Sequence, residues 1–126
     1  EGVFAKNKLM NITIPESVTD IDNYALTDNQ LASVIIPKGV KEIGREAFSK
    51  NQLTTAEIPE SVRYIGGGAF AVNNLSNVVI PAGLEFVGEL AFVRNNIKSV
   101  MIPRRIKAAA PKAFDDGIII CEYLGS

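Results

Sequence analysis

The dipeptide Ile-Pro falls at Ile14-Pro15, Ile36-Pro37, Ile58-Pro59, Ile80-Pro81 and Ile102-Pro103, always 22 residues apart. A fixed period of this length constrains the architecture more than any other feature, because a unit so short must bury its apolar residues against its neighbours. Other columns keep the same step. Asn recurs at Asn7, Asn29, Asn51, Asn73 and Asn95, and Leu9, Leu31, Leu53, Leu75 and Ile97 form a second column. Val18, Val40, Val62, Leu84 and Ile106 follow, then Ile21, Ile43, Ile65, Val87 and Ala109. A small-aromatic pair closes most units, as in Ala47-Phe48, Ala69-Phe70, Ala91-Phe92 and Ala113-Phe114. The consensus N-x-L-x-x-V-x-I-P-x-x-V-x-x-I-G-x-x-A-F-x-x runs without insertion or deletion.

Stacking such units places like on like and makes one continuous core. The segment L-x-x-V-x-I-P contains the alternation of a half-buried strand, with its Val/Ile pair inward and the residue between them outward. Proline ends that strand because it has no N–H for the next ladder bond. Strands one unit apart are then parallel, about 4.8 Å from rung to rung, with right-handed crossovers. The I-G-x-x-A-F stretch is too short for a full helix and reads as a turn of 3₁₀ or α-helix carrying its ring into the core. The expected fold is therefore a mostly β solenoid with short parallel strands and helical turns. An Asn before each strand suits a side-chain ladder that satisfies turn backbone. Gly44, Gly66 and Gly88 imply positive φ or a close approach. Gly66-Gly67-Gly68 is one of these turns and not a phosphate loop, since no Lys-Ser/Thr follows.

The whole chain, 1–126, reads as a single solenoid domain. Residues 1–6 are a partial repeat; 7–28, 29–50, 51–72, 73–94 and 95–116 are full ones; 117–126 form a C-terminal capping strand. Because the chain opens inside a unit, it reads as the C-terminal part of a longer protein. On that reading Val3, Phe4 and Leu9 border an uncapped apolar end, open to an upstream domain or to end-to-end self-association. At the other end the register breaks at Asp115-Asp116-Gly117, where turn capping accounts for the two acids. With Glu122 placed toward water, strand alternation turns Ile119, Cys121 and Tyr123 inward, making Cys121 a buried small hydrophobe.

The missing residue types narrow the function. There is no His and a single Cys, so neither an internal disulfide nor a His/Cys zinc site can be assembled. The usual general base near neutral pH is absent as well. Neither Glu57 with Glu60 nor Asp115 with Asp116 has a partner suited to acid–base work, so no enzyme and no cofactor are expected. The net charge of −1 gives no global reason for nucleic acid, and no apolar run approaches the roughly 20 residues that would insert in a membrane.

Binding is expected where columns vary and packing makes no demand. The outward strand column reads Thr13, Ile35, Glu57, Val79, Met101. The apolar members Ile35, Val79 and Met101 are candidates for a contact surface, although β-propensity is the plainer account. Past the proline, the column Asp20, Glu42, Tyr64, Phe86, Ala108 turns from acidic to aromatic. Tyr64 and Phe86 fall on adjacent rungs and can anchor a protein or glycan, or pack over neighbouring loops. Residues 94–112 hold Arg94, Lys98, Arg104, Arg105, Lys107 and Lys112 and no acid. Lys98, Arg104, Arg105 and Lys107 form a candidate basic patch for an acidic protein or glycan, or simply a solvated face. No aromatic interleaving accompanies these charges, which argues against nucleic acid.

The columns from the leading Asn to the closing Ala-Phe, over residues 1 to about 116, resemble the BspA-like (Treponema pallidum-type) leucine-rich repeat family. That family's column before the strand holds Cys or Asn, and here it is Asn throughout. The resemblance implies a leucine-rich-repeat solenoid on a bacterial surface or secreted, in a family linked to adhesion to host proteins, with no catalytic motif. The expected function is binding of a host or matrix protein or an acidic glycan; the alternative is a structural spacer with no ligand of its own.

Overall fold

The computed structural model describes residues 5, 8 and 10–123. The expected apolar end around Val3, Phe4 and Leu9 lies outside the described residues. The chain winds as a β-solenoid with a 22-residue step, but the third and fourth full coils contribute to two strand columns where the repeat predicts one. After the proline, β1 (Asp20–Ile21), β2 (Glu42–Ile43), β4 (Tyr64–Ile65) and β6 (Phe86–Val87) form a four-stranded parallel sheet in the order β1-β2-β4-β6. Before the proline, β3 (Thr55–Glu57) pairs with β5 (Asn77–Val79), and β7 (Ser99–Ile102) pairs with β8 (Ile119–Glu122), both in parallel. Between the two columns each proline carbonyl accepts the amide three residues on, as from Val40 to Pro37 at 3.2 Å and from Val62 to Pro59 at 3.1 Å. This turn folds the chain from one sheet to the other.

The I-G-x-x-A-F segments of the first four coils are hydrogen-bonded turns, not helical ones. Ala47 N–H donates to Gly44 O and Ser49 N–H to Glu46 O, and Glu46 adopts a left-handed φ of 51°. Alternating the handedness points successive alternate amides along the solenoid axis. Glu46, Phe48 and Lys50 accordingly donate to Gly67, Ala69 and Ala71 of the next coil, at 2.8–2.9 Å. Among the described residues only the last coil is helical, with a 3₁₀ turn at Arg104–Ala109 followed by α1 (Ala110–Ala113). The glycine column answers to close approach. A Cβ on Gly66 would stand 2.6 Å from Arg45 N, and one on Gly88 would collide with Gly67 N. Left-handed backbone falls at other positions, including Lys50, Val72 and Arg94.

Two ladders run the length of the stack. Inside, Phe48, Phe70, Phe92 and Phe114 stack face to face with centroids 5.2, 5.3 and 5.0 Å apart, within the range where aromatic pairs add attraction beyond burial. Isoleucine, leucine and valine columns fill the remaining core, with Leu53, Val62, Ile65 and Leu84 fully buried. Alongside runs the asparagine ladder. Asn73 Nδ2 donates to Phe48 O and Phe70 O, both at 3.0 Å, while its Oδ1 accepts from Leu53 N at 3.0 Å. Asn51 and Asn95 repeat the arrangement. One carboxamide therefore satisfies carbonyls in two successive coils and an amide between them.

Both features make stability predictions. Asn73→Asp cannot donate to the two phenylalanine carbonyls and buries a charge among acceptors, so urea unfolding should show a loss of about 3 kcal/mol or more. Gln52→Ala, on the exposed neighbour, should change little. Val72 is β-branched and held at φ 58°; Val72→Asn should raise stability by about 1 kcal/mol in the same assay.

Candidate binding surface

The outward residue of the pre-proline column is held in place by its buried neighbours. In Val34-Ile35-Ile36, Ile36 packs into the core while Ile35 stands 81% exposed. Val79 and Met101 are 53% and 45% exposed by the same alternation. Glu57 pairs with Val79 in register, so a carboxylate interrupts the column between Ile35 and Val79. Met101 continues it onto Cys121.

That last pairing corrects the sequence reading of the capping strand. Ile119 and Cys121 face outward, while Ile118 and Ile120 pack toward the core. The register Ile102↔Glu122 places Glu122 in the column that isoleucine occupies in earlier coils. A carboxylate is tolerated there because two cations reach it. Arg104 Nε lies 3.2 Å from Oε1 and Lys107 Nζ lies 2.8 Å from Oε2. These bonds hold the Glu122 carboxyl below its ordinary pKa, with Lys107 the larger influence. Assigning the strand by keeping the charge in water fails here because the neutralising partners come from the preceding 3₁₀ turn. Tyr123 anchors the strand further, its hydroxyl donating to Ile80 O at 2.5 Å. Burial foremost, then the nearby Glu60 charge, raises the Tyr123 pKa. Ile119 and Cys121 thus join Val79 and Met101 on one exposed apolar surface, an extension the sequence reading missed.

The same contacts subdivide the basic patch. Arg104 and Lys107 spend charge on Glu122, and Lys112 lies 3.9 Å from Glu89. Arg105 donates to Ala82 O at 3.2 Å, which spreads its guanidinium along the surface without neutralising it. Lys98 is exposed on the opposite approach to β7. The four residues are therefore two ion-paired cations and two that keep their charge toward solvent. Asp115 closes the turn as expected, accepting from Arg94 N at 3.0 Å and Asn95 N at 3.3 Å.

On the other sheet the register brings Tyr64 beside Phe86. Their rings stack 4.8 Å apart at 9° and remain 40% and 47% exposed. Leu90, 57% exposed, stands near them across a shallow hollow. Glu42 precedes Tyr64 in the same column, so the rings form the apolar end of an otherwise acidic row. No helix among the described residues is long and apolar enough to cross a membrane.

A sequence profile of the BspA-type leucine-rich repeat region matches residues 1–120 in six copies. The chain belongs to the BspA-type leucine-rich repeat family. In three dimensions this leucine-rich repeat solenoid is similar to a leucine-rich repeat protein from Bacteroides ovatus, with a TM-score of 0.55 at 20% identity. The likeness covers 97% of the chain and 48% of the other, so the solenoid spans about half the length of that protein. A search of curated proteins finds no match.

The Glu122 cluster makes a pH prediction for the repeat solenoid. Because folding depresses the carboxyl pKa, its stabilisation is present above the ordinary carboxylate value and disappears as pH falls through the folded one. Glu122→Gln should melt earlier than the parent at neutral pH. The difference should narrow as pH falls below the ordinary carboxylate value and vanish once it passes the depressed folded-state one.

Proposed function

We propose that this solenoid is a binding module of a bacterial surface or secreted protein, attaching to host or matrix macromolecules through exposed sheet columns and adjacent loops. One observation carries the reading. Large apolar side chains that the core does not need stand exposed in adjoining positions of the outward columns: Tyr64 with Phe86 after the proline, Val79 with Met101 and Ile119 on the pre-proline side. An inert spacer repeat has no use for such residues, since an exposed apolar surface favours association. Aromatic residues in partly desolvated positions are also the commonest anchors of interfaces. Family membership supports a repeat module, and the charged residues at Lys98 and Arg105 supply a polar border for a partner's acidic groups.

Attachment to a panel of immobilised matrix proteins and glycans tests the reading. Tyr64→Ala with Phe86→Ala should weaken binding about tenfold or more. Lys98→Glu with Arg105→Glu should slow association and flatten its salt dependence. Arg104 is left unchanged because its substitution would release β8. If both double variants attach as well as the parent to every partner it recognises, the surface is misassigned. If the parent attaches to nothing, the solenoid is a spacer.

A further inference from the structure

The position after the column glycine is Arg45 in the second coil, Gly67 in the third and Glu89 in the fourth. Backbone φ does not require glycine at 67, although a side chain there would press on a carbonyl of the next coil. Its φ lies outside the left-handed region, and a Cβ there would meet only Glu89 O, at 3.3 Å. Gly68 follows in a column that Tyr24, Glu46 and Leu90 also occupy with left-handed φ. The missing side chain at Gly67 leaves a hollow floored by backbone, while the Glu46 side chain already lies over the buried Gly68. Arg45 and Glu46 stand on one side of it, Glu89 and Leu90 on the other, and the Tyr64–Phe86 stack borders it.

The polar groups around the hollow are of both senses. Glu46 and Glu89 offer carboxylate acceptors, and Arg45 offers guanidinium donors. The Gly67 amide is a further donor. In the second coil the equivalent amide, Arg45 N, donates to Asn23 Oδ1 at 2.8 Å. For Gly67 the corresponding residue one coil back is Arg45, whose side chain has no acceptor. The apolar groups are two offset rings and an aliphatic side chain. A saccharide ring has the matching chemistry, with C–H faces for the rings and hydroxyls that both donate and accept. Negative charge does not suit the place, since Glu42, Glu46 and Glu89 all lie around the aromatic pair.

We infer that the hollow over Gly67, beside Tyr64 and Phe86, binds an uncharged saccharide ring. The inference rests on the binding-module reading and names one ligand class for it.

The test is calorimetric titration of the intact chain with cellohexaose, maltohexaose and chitohexaose, and with heparin oligosaccharide as the anionic probe. Gly67→Arg fills the hollow with the side chain that the second coil already carries, and urea unfolding reports whether it folds like the parent. Tyr64→Ala with Phe86→Ala is the second variant. The parent should bind at least one neutral oligosaccharide, and each variant should bind it at least about tenfold more weakly. Absence of any neutral binding at millimolar concentration overturns the inference, as does undiminished binding by folded Gly67→Arg. Heparin binding alone also overturns it, and in each of these cases attachment to a matrix protein that Gly67→Arg leaves intact would keep the binding-module reading standing.

Discussion

The buried carboxamides of Asn51, Asn73 and Asn95 set the geometry on which the rest of the solenoid depends. Each donates to carbonyls of two coils and accepts an amide from one of them. Without them the A-F turns would leave polar backbone buried against an apolar stack, at a cost of several kcal/mol per coil. With them, neighbouring coils keep one spacing and one rotation. That fixed step lets Phe48, Phe70, Phe92 and Phe114 meet face to face. It also aligns each isoleucine and leucine column into an unbroken core, which no unit could form alone.

The same step acts on the outside. Residues 22 apart stand on adjacent rungs, so a substitution in one unit changes a column rather than an isolated point. Tyr64 and Phe86 show the effect: single aromatics in two units become one exposed stack because register aligns their strands. Core columns are held to a narrow set of shapes, whereas outward columns drift from acid to aromatic without penalty. The binding that we propose for this scaffold would therefore be written in the outward columns and in the gaps between them, including the place beside Gly67.

The C-terminal coil departs from the rule at a visible expense. Its final step, from Ser99 to Ile119, is 20 residues, and that shorter step sets a carboxylate where isoleucine belongs. Arg104 and Lys107 from the preceding 3₁₀ turn compensate Glu122, and the Tyr123 hydroxyl reaches back to Ile80. An inward charge on a terminal strand also discourages edge-to-edge pairing with other chains. The ion cluster takes two of the cations that otherwise read as a free basic surface.

Periodicity alone determined the solenoid, its 22-residue step, the inward Val/Ile pairs, the aromatic column and the structural role of the asparagines. Each follows from what a short unit must bury and which backbone groups it must satisfy. It also placed Tyr64 beside Phe86, since equal positions in adjacent units are neighbours in any stack. Two features needed the tertiary structure. The second strand column depends on how the proline turn redirects the chain, which local propensity over two residues cannot reveal. The phase of β8, and with it the exposure of Cys121 and the half-buried place of Glu122, depends on partners brought from another element. Alternation offers two phases for any strand; the inward packing of Ile118 and Ile120, the Tyr123 hydroxyl bond and the position of Arg104 and Lys107 in space favour the charged one.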